Sequence, residues 1–571
     1  MNDKLDDYRR AATPLPEKNR LWPLFGPGFE NIGQEGETIE VPLPQPGTDE
    51  LLVRHDAVGL CFSDIKVIRA GQEHPRIYRD LQSDPVVLGH EVSMTVVTAG
   101  KNLSNQYKPG DRFIIQADIF LNGVGYAYGY EIQGGLSLYN IVDWRVLNGD
   151  HGNYLIPVQP STGYAESALT EPWACVIAAY QLDYRSGLKP GGTTWIIGAQ
   201  PGRDRAYTIS EGFDEASHPA RLLLTGVPEE FAGWLKERAR ALGIETIEVN
   251  DVTAPPVDVV DDIVLLGADP HIVSTTSPHL AKFGVFAILA DTLFPDRVEI
   301  DLGRVHYDRW AYVGSPDPDV ARAYREVPVR STLKPGGNAW FVGAGGPMGR
   351  MHVQRALQIP EGPARILCTD VSDLRLADLC NSFSTEAAAK GIEWTCLNPF
   401  NKGEYEAGLA AFHDTGFDDI VVLAPAVPAI SQAAGYLSPK GVMNVFAGLA
   451  RGTFVPLDLN DVVHKGVRII GHSASTIEDL RLMLHQTECG ELSPNRSVAA
   501  IGSLSAARDG LAAVRDALFP GKVVIFPQIR EFPLTSLPEL KDKLPSVYVR
   551  LKDGHEWTTE AEEEFLQLML P

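Results

Sequence analysis

Cysteine is scarce in this chain, six in 571 residues, and none of the six (Cys61, Cys175, Cys368, Cys380, Cys396, Cys489) stands in a C-x-x-C pair. That excludes a zinc knuckle or a thioredoxin-type motif, and predicts reduced thiols with one candidate metal ligand. Positive charge is also short: 50 Lys and Arg stand against 74 Asp and Glu, a formal net charge of −24. A surface of that sign repels phosphate backbones and anionic membranes, which argues against nucleic-acid and membrane partners. No run approaches the ~20 consecutive apolar residues that span a bilayer. The opening MNDKLDDYRRAATPLPEKNR mixes both charges and lacks the apolar stretch of a secretory signal, so a cytoplasmic protein is expected. The hydrophobic fraction of 44% is nevertheless ordinary for a globular chain, and 571 residues predict three or four compact units.

What the chain does contain is a repeat. Lys189-Pro190-Gly191-Gly192 followed by TTWIIGAQPG recurs 145 positions later as Lys334-Pro335-Gly336-Gly337 followed by NAWFVGAGGPMG. PARLLLTG from Pro219 recurs as PARILCTD from Pro363, and Asp261-Asp262-Ile263-Val264 recurs 157 positions later as Asp418-Asp419-Ile420-Val421. Gly284 and Gly441 keep that second offset. Short apolar β-rich runs alternate with helix-like segments in each copy, which predicts a parallel sheet with crossover helices. Upstream, residues 35–185 show β-type alternation with many Gly and Pro turns. Downstream, GLAAVRDALFPGKVVIFPQI reads as helix, turn and strand ahead of an amphipathic acidic tail.

The second copy carries a dinucleotide fingerprint. Strand AWFV leads into Gly343-Ala344-Gly345-Gly346-Pro347-Met348-Gly349, one residue longer than G-x-G-x-x-G, and Asp370 ends the next strand 21 residues after Gly349. Glycines there permit the sharp turn and the close approach to pyrophosphate, the helix N-terminus supplies N–H groups, and the acid accepts from the adenosine ribose. An acid opposes a 2′-phosphate, so NAD is favoured over NADP, with Arg375 along the ribose edge tempering that preference. The first copy departs from the pattern: Gly198-Ala199-Gln200-Pro201-Gly202-Arg203 puts Gln200 and Arg203 where glycines belong, and Gly226 replaces the acid. It reads as a domain retained for packing or assembly, with a different nucleotide on Arg203 left open.

Three upstream pieces carry metal chemistry: Gly59-Leu60-Cys61-Phe62-Ser63-Asp64, Gly89-His90-Glu91 and Glu171-Pro172. Together they offer a soft thiolate, an imidazole nitrogen and hard carboxylate oxygens, the donor mixture of a catalytic zinc site with one open position. At these residues the chain resembles the zinc-dependent medium-chain dehydrogenase/reductase (alcohol dehydrogenase-like) family, especially its sorbitol, polyol and sugar dehydrogenase branch. The resemblance runs through GLCFSD, LGHE, KPGDR, GGLSLY, EPWACV, VGAGGPMG and GKVVIFP, in order. It implies an α/β chain: a GroES-like β-rich catalytic domain (1–186, completed by a C-terminal return and tail at 493–571) and two tandem Rossmann-like doubly wound parallel-sheet domains. The first of these, 187–330, is degenerate, and the second, 331–492, binds NAD.

The same resemblance makes Cys61 and His90 zinc ligands, with Glu91 or Glu171 and a water completing the shell. Ser63 would relay the substrate proton and Asp64 would orient the metal shell or satisfy backbone N–H groups. Lys66 stands where many members have the histidine that ends the relay. The structural zinc lobe of many members is absent, since no cysteine lies between Cys61 and Cys175, and GYAYGYEIQGG occupies that region as packing or assembly surface. Arg69, Arg76 and Arg79 form a local basic run that would suit a sugar phosphate or a solvated loop. The leading expectation is a zinc-dependent, NAD-linked oxidoreductase acting on a polyol or sugar hydroxyl, as a homo-oligomer. The alternatives are a ketose 1-phosphate type reductase and, from another class, a non-catalytic assembly or regulatory protein.

Overall fold

The computed structural model describes residues 4–180, 184–202, 204–325, 332–472 and 474–571. The chain divides into two units, residues 1–178 with 346–351 and 474–571, and residues 179–345 with 352–473. Among the described residues no helix is long and apolar enough to cross a membrane.

The first unit is built on an eight-stranded, mostly antiparallel sheet. At its centre β1 (Leu51–Gly59) is buried along its whole length and pairs with β2 (Glu91–Ala99). On its other side β1 pairs with Lys522–Phe526, so the end of the chain completes the sheet begun near its start. β1 carries Arg54, His55 and Asp56 into this interior, where all three are hydrogen-bonded. Asp56 accepts from Arg54 at 2.8 Å, Tyr8 at 2.7 Å and Thr95 at 2.6 Å, while His55 bonds Ser137 O at 2.9 Å and Tyr128 at 2.8 Å. Helix α1 (Phe62–Ala70) follows β1 and stops at Gly71, whose φ of 52° suits a residue without a Cβ. Helix α2 (Thr170–Ala178) closes this part of the chain.

The second unit holds a twelve-stranded sheet. Its first half comprises β3 (Thr193–Gly198), β4 (Arg221–Thr225), β5 (Glu245–Glu248), β6 (Val260–Leu266), β7 (Leu280–Leu289) and β8 (Ala311–Ser315). The second half comprises β9 (Asn338–Val342), helix α3 (Pro347–Gln358), β10 (Arg365–Thr369), helix α4 (Asp373–Ala389), β11 (Glu393–Leu397), β12 (Phe417–Val422), β13 (Leu437–Val445) and β14 (Arg468–Gly471). Across the sheet the order is β5-β4-β3-β6-β7-β8-β14-β13-β12-β9-β10-β11. Each half is therefore parallel, in the order 3-2-1-4-5-6 of a doubly wound nucleotide-binding sheet, and the two run in mirror order from a central antiparallel pair, β8 with β14. Near-continuous Val, Ile and Leu runs suit strands buried on both faces.

The repeated residues make repeated contacts. Lys189 N donates to Asp262 at 2.9 Å and Thr193 N to Asp261 at 2.9 Å; Lys334 N donates to Asp419 at 2.8 Å and Asn338 N to Asp418 at 2.9 Å. Trp195 Nε1 reaches Thr225 at 2.9 Å, and Trp340 Nε1 reaches Thr369 at 3.0 Å. At the centre Tyr312 faces Ile469, its counterpart at the 157-residue offset. A second pairing, Val298–Asp301 with Phe454–Leu457, sets Val298 opposite Leu457 and Ile300 opposite Val455, which exchanges counterparts symmetrically.

The halves differ where the sequence expects a crossover helix in both. After β9 the chain enters α3, but after β3 it makes a short 3₁₀ turn, Gln200–Gly202, and no helix occurs among the described residues before Glu229–Leu242. Arg203 lies outside the described residues. A Cβ at Gly202 would stand 2.6 Å from the Tyr207 hydroxyl, so that side chain occupies the space against the turn.

Candidate active site

The metal-binding candidates converge because β1, α1 and β2 are consecutive around one corner of the first sheet. Cys61 is the N-cap of α1, and Asp64, in the first turn, accepts from the Cys61 backbone N at 2.9 Å. The other Asp64 oxygen lies 3.1 Å from His90 Nδ1, which makes Nδ1–H the donor and leaves Nε2 as the ligand atom. Asp64 is wholly buried, so it fixes the helix start and the imidazole at once. Burial is the largest single influence and works against a charged His90, yet Asp64, Tyr130 and the hydrogen bonds with Asp64 and Cys61 together hold the His90 pKa well above its ordinary value.

Glu91 is wholly buried. Its Oε1 accepts from the equally buried Lys522 at 2.5 Å, while its Oε2 has no hydrogen-bond partner. A Cβ at Gly59 would sit 2.1 Å from that same Oε2, so the glycine opening GLCFSD makes room for the carboxylate. Among the described residues, Cys61, His90 and Glu91 form a group whose donor atoms all lie within 4.8 Å of one another. An unpartnered buried carboxylate oxygen beside a thiol and an oriented imidazole fits a zinc ion.

Glu171, in α2, falls outside that group. Its carboxyl is pushed up to about 7, by burial first and then against the pull of His90, with Glu91 and Asp118 raising it further. Ser63 is partly buried in the first turn of α1, whereas Lys66 is exposed. The tyrosine-rich stretch divides in role: Tyr128 is a buried hydrogen-bonding residue, but the Tyr130 ring lies 5.7 Å from His90 and 5.2 Å from His74. Of the basic run, Arg76 is paired with Asp118, and Arg79 with Asp84 at 3.1 Å and Glu131 at 3.2 Å. Sequence reasoning missed Lys522 and Tyr130, and only the return segment GKVVIFP hinted at the former.

The glycine-rich turn after β9 is tied to the acid that follows the neighbouring strand, β10. Gly343, with φ of 87°, and Ala344 donate to Thr369 O at 2.8 and 2.9 Å, and Gly345 N donates to Asp370 Oδ2 at 3.0 Å. A Cβ at Gly345 would meet Arg375 Cβ at 2.7 Å and Asp370 Oδ2 at 2.9 Å, whereas Gly346 faces open space. Pro347, Met348 and Gly349 begin α3. Asp370 Oδ1 accepts from Ser372 N at 3.0 Å, leaving further lone pairs on both oxygens.

The fold and these residues define an oxidoreductase of the alcohol dehydrogenase type. Residues 47–148 match the family described as "Alcohol dehydrogenase GroES-like domain". It is similar to mannitol-1-phosphate 5-dehydrogenase of Aliivibrio fischeri, 23% identical over 92% of this chain and 93% of that one. It is also similar to L-sorbose 1-phosphate reductase of Klebsiella pneumoniae, 21% identical over 93% of this chain and 94% of that one. Among solved structures, 2R,3R-butanediol dehydrogenase from Bacillus subtilis shares the fold, with a TM-score of 0.52 at 14% identity over 89% of this chain and 99% of that one.

Proposed function

We propose that the protein is a zinc-dependent dehydrogenase transferring hydride between a polyol or sugar hydroxyl and NAD. The unpartnered Glu91 Oε2 beside Cys61 and His90 supports this reading most strongly. When bound, the metal would supply a Lewis acid for the substrate hydroxyl and the nicotinamide a hydride acceptor. Cys61, His90 and Glu91 would hold the metal, with Glu171 outside that set as a carboxyl facing the same charges. Asp64 would keep His90 in the tautomer that presents Nε2, and Ser63 would take the hydroxyl proton. Asp370 favours NAD by opposing a 2′-phosphate.

On this reading the chain comprises a catalytic domain (1–186 with 493–571) and two duplicated Rossmann-like domains, 187–330 and 331–492. Among the described residues the first has no helix directly after β3 whose N-terminus would face pyrophosphate, so its role is to complete the sheet by pairing β8 with β14. One nucleotide per chain follows. That pairing occupies the β14 edge within the chain, so a homo-oligomer would form through another surface.

A second reading, a phosphorylated substrate, is favoured by the names of the two relatives that span more than nine-tenths of the chain. Arg76 and Arg79 do not support it, being committed to carboxylates. Nicotinamide absorbance followed against polyols, sugars and their phosphates, before and after chelation and zinc restoration, separates the readings. Turnover of neutral substrates, lost on chelation and regained with zinc, supports the first; turnover confined to phosphates supports the second. Turnover unchanged by thorough chelation and by Cys61→Ser would sink the zinc assignment.

A further inference from the structure

Three of the six cysteines lie together in the second unit, apart from the candidate metal site. Cys368 on β10 stands opposite Cys396 on β11 in the parallel register, and Cys380 comes from α4, the helix that connects those strands. Cys380 Sγ lies 2.7 Å from Cys396 Sγ, with all three thiols free. Cys368 is wholly buried, whereas Cys380 and Cys396 are partly exposed, and β11 is an edge strand of the sheet. The half-buried Trp394 indole N–H lies beside both sulfurs and favours their charged form, as a donor to a thiolate does. A disulfide bond is ~2.05 Å long, so closing the pair needs less than about 1 Å of sulfur movement.

We propose that Cys380 and Cys396 are an oxidation site, at which a hydroperoxide converts the pair to a disulfide that ties α4 to β11. The Cys380 sulfur attacks the peroxide: a sulfur–oxygen bond forms, the oxygen–oxygen bond breaks, and one alcohol (water from hydrogen peroxide) leaves. The Cys396 sulfur then attacks the resulting sulfenic acid, forming the sulfur–sulfur bond and releasing water with its own proton. Two electrons pass from the two thiols to the peroxide. Cys396, flanked by both other sulfurs, is placed to resolve the sulfenic acid. The hydrogen bond from Cys396 and burial raise the Cys380 thiol pKa, and the Cys368 contact does the same first for Cys396. The reaction is therefore slow at neutral pH and faster in alkali.

The test treats the native chain with hydrogen peroxide, blocks remaining thiols, digests without reductant and maps peptides by mass. A cross-linked pair containing Cys380 and Cys396, 2 Da (~, two hydrogens) lighter than its parts, with two thiols lost and restored by dithiothreitol, is expected. In Cys396→Ser the cross-link disappears and Cys380 is trapped as a sulfenic acid by a dione reagent. Thiols that stay free, a Cys368–Cys396 link instead, or separate oxidation of each sulfur to sulfonic acid would each overturn the proposal.

Discussion

Replacing Lys522 with Met tests whether Glu91 is a charged carboxylate facing a metal. The substitution keeps an unbranched apolar chain of similar length but removes the donor to Glu91 Oε1, and Oε2 already has none. Breaking a buried pair from one side costs about 3–5 kcal/mol, because the remaining charge is stranded. At 1.4 kcal/mol per tenfold, that is roughly 10² to 10⁴ in the opening equilibrium of the strands concerned. Hydrogen exchange of peptides covering Glu91–Ala99 and Lys522–Phe526 reads it directly in metal-free protein. Burial, the largest single influence, would lower the Lys522 pKa, but Glu91 with Cys61 and Glu171 together raise it, so the pair's contribution is intact at neutral pH and is lost only above the ordinary lysine range. Glu91→Gln should cost a similar amount, and the double variant less than the sum. Saturating zinc should narrow the gap between Lys522→Met and the parent, since the cation replaces the missing positive charge. Additive losses, or a gap that zinc leaves unchanged, would refute the argument.

Glu166 is pushed up to about 7 by burial and then by Glu562 beside it. Its folded pKa exceeds the unfolded value of ~4.3, so the stabilisation is complete below that pH and is lost as pH rises through 7. Glu166→Gln should flatten the Tm profile between about pH 4.5 and 7 and stabilise the protein above it; an unchanged slope would count against this. Gly345→Ala should destabilise by ~1–3 kcal/mol through its contacts with Arg375 and Asp370, while Gly346→Ala in open space should cost little in thermal unfolding. Asp370→Asn should narrow the preference for NAD over NADP by about 10-fold or more, the worth of a charge-assisted hydrogen bond, measured as a ratio of kcat/KM values. A ratio that does not move would remove Asp370 from cofactor choice.

How much of this was legible beforehand depended on how far apart the partners lie in the chain. The parallel halves could be read because KPGG and the Asp-Asp pair are short, repeated signals, and they form the same hydrogen bonds in both places. Cys61, Asp64, His90 and Glu91 could be placed together because two short motifs carry them. Lys522 could not, since its partner is 431 residues away and KVVIF looks like any core strand. The same limit left the basic run open between a phosphate site and a solvated loop: Asp118 and Glu131, which pair with Arg76 and Arg79, come later in the chain. Tyr130 reads as packing until its ring is seen against His90. The absence, among the described residues, of a helix directly after β3 was foreshadowed by Gln200 and Gly226, which abandon the phosphate-binding pattern, but a helix can form without that pattern, so its loss was not implied.

The two halves of the sheet diverge in a particular direction. Kept in both are the tryptophan-to-threonine bond, the aspartate pair that holds the strand entry, and an Arg-to-Glu pair across the outer strands, 2.7 Å for Arg221 with Glu245 and 2.8 Å for Arg365 with Glu393. Kept as well are the contacts in which each half meets its own counterpart, Tyr312 with Ile469 and Val298 with Leu457, the pattern of a self-complementary two-fold interface. Altered in the first half are the close-approach glycine, the ribose acid and the helix that would face a phosphate. The retained contacts named here serve strand pairing and burial, and under the proposed function the altered features would serve a dinucleotide. Under the proposed duplication, the first half is therefore best understood as an internal partner for the second: it covers a sheet edge that would otherwise expose unpaired N–H and C=O groups to other chains.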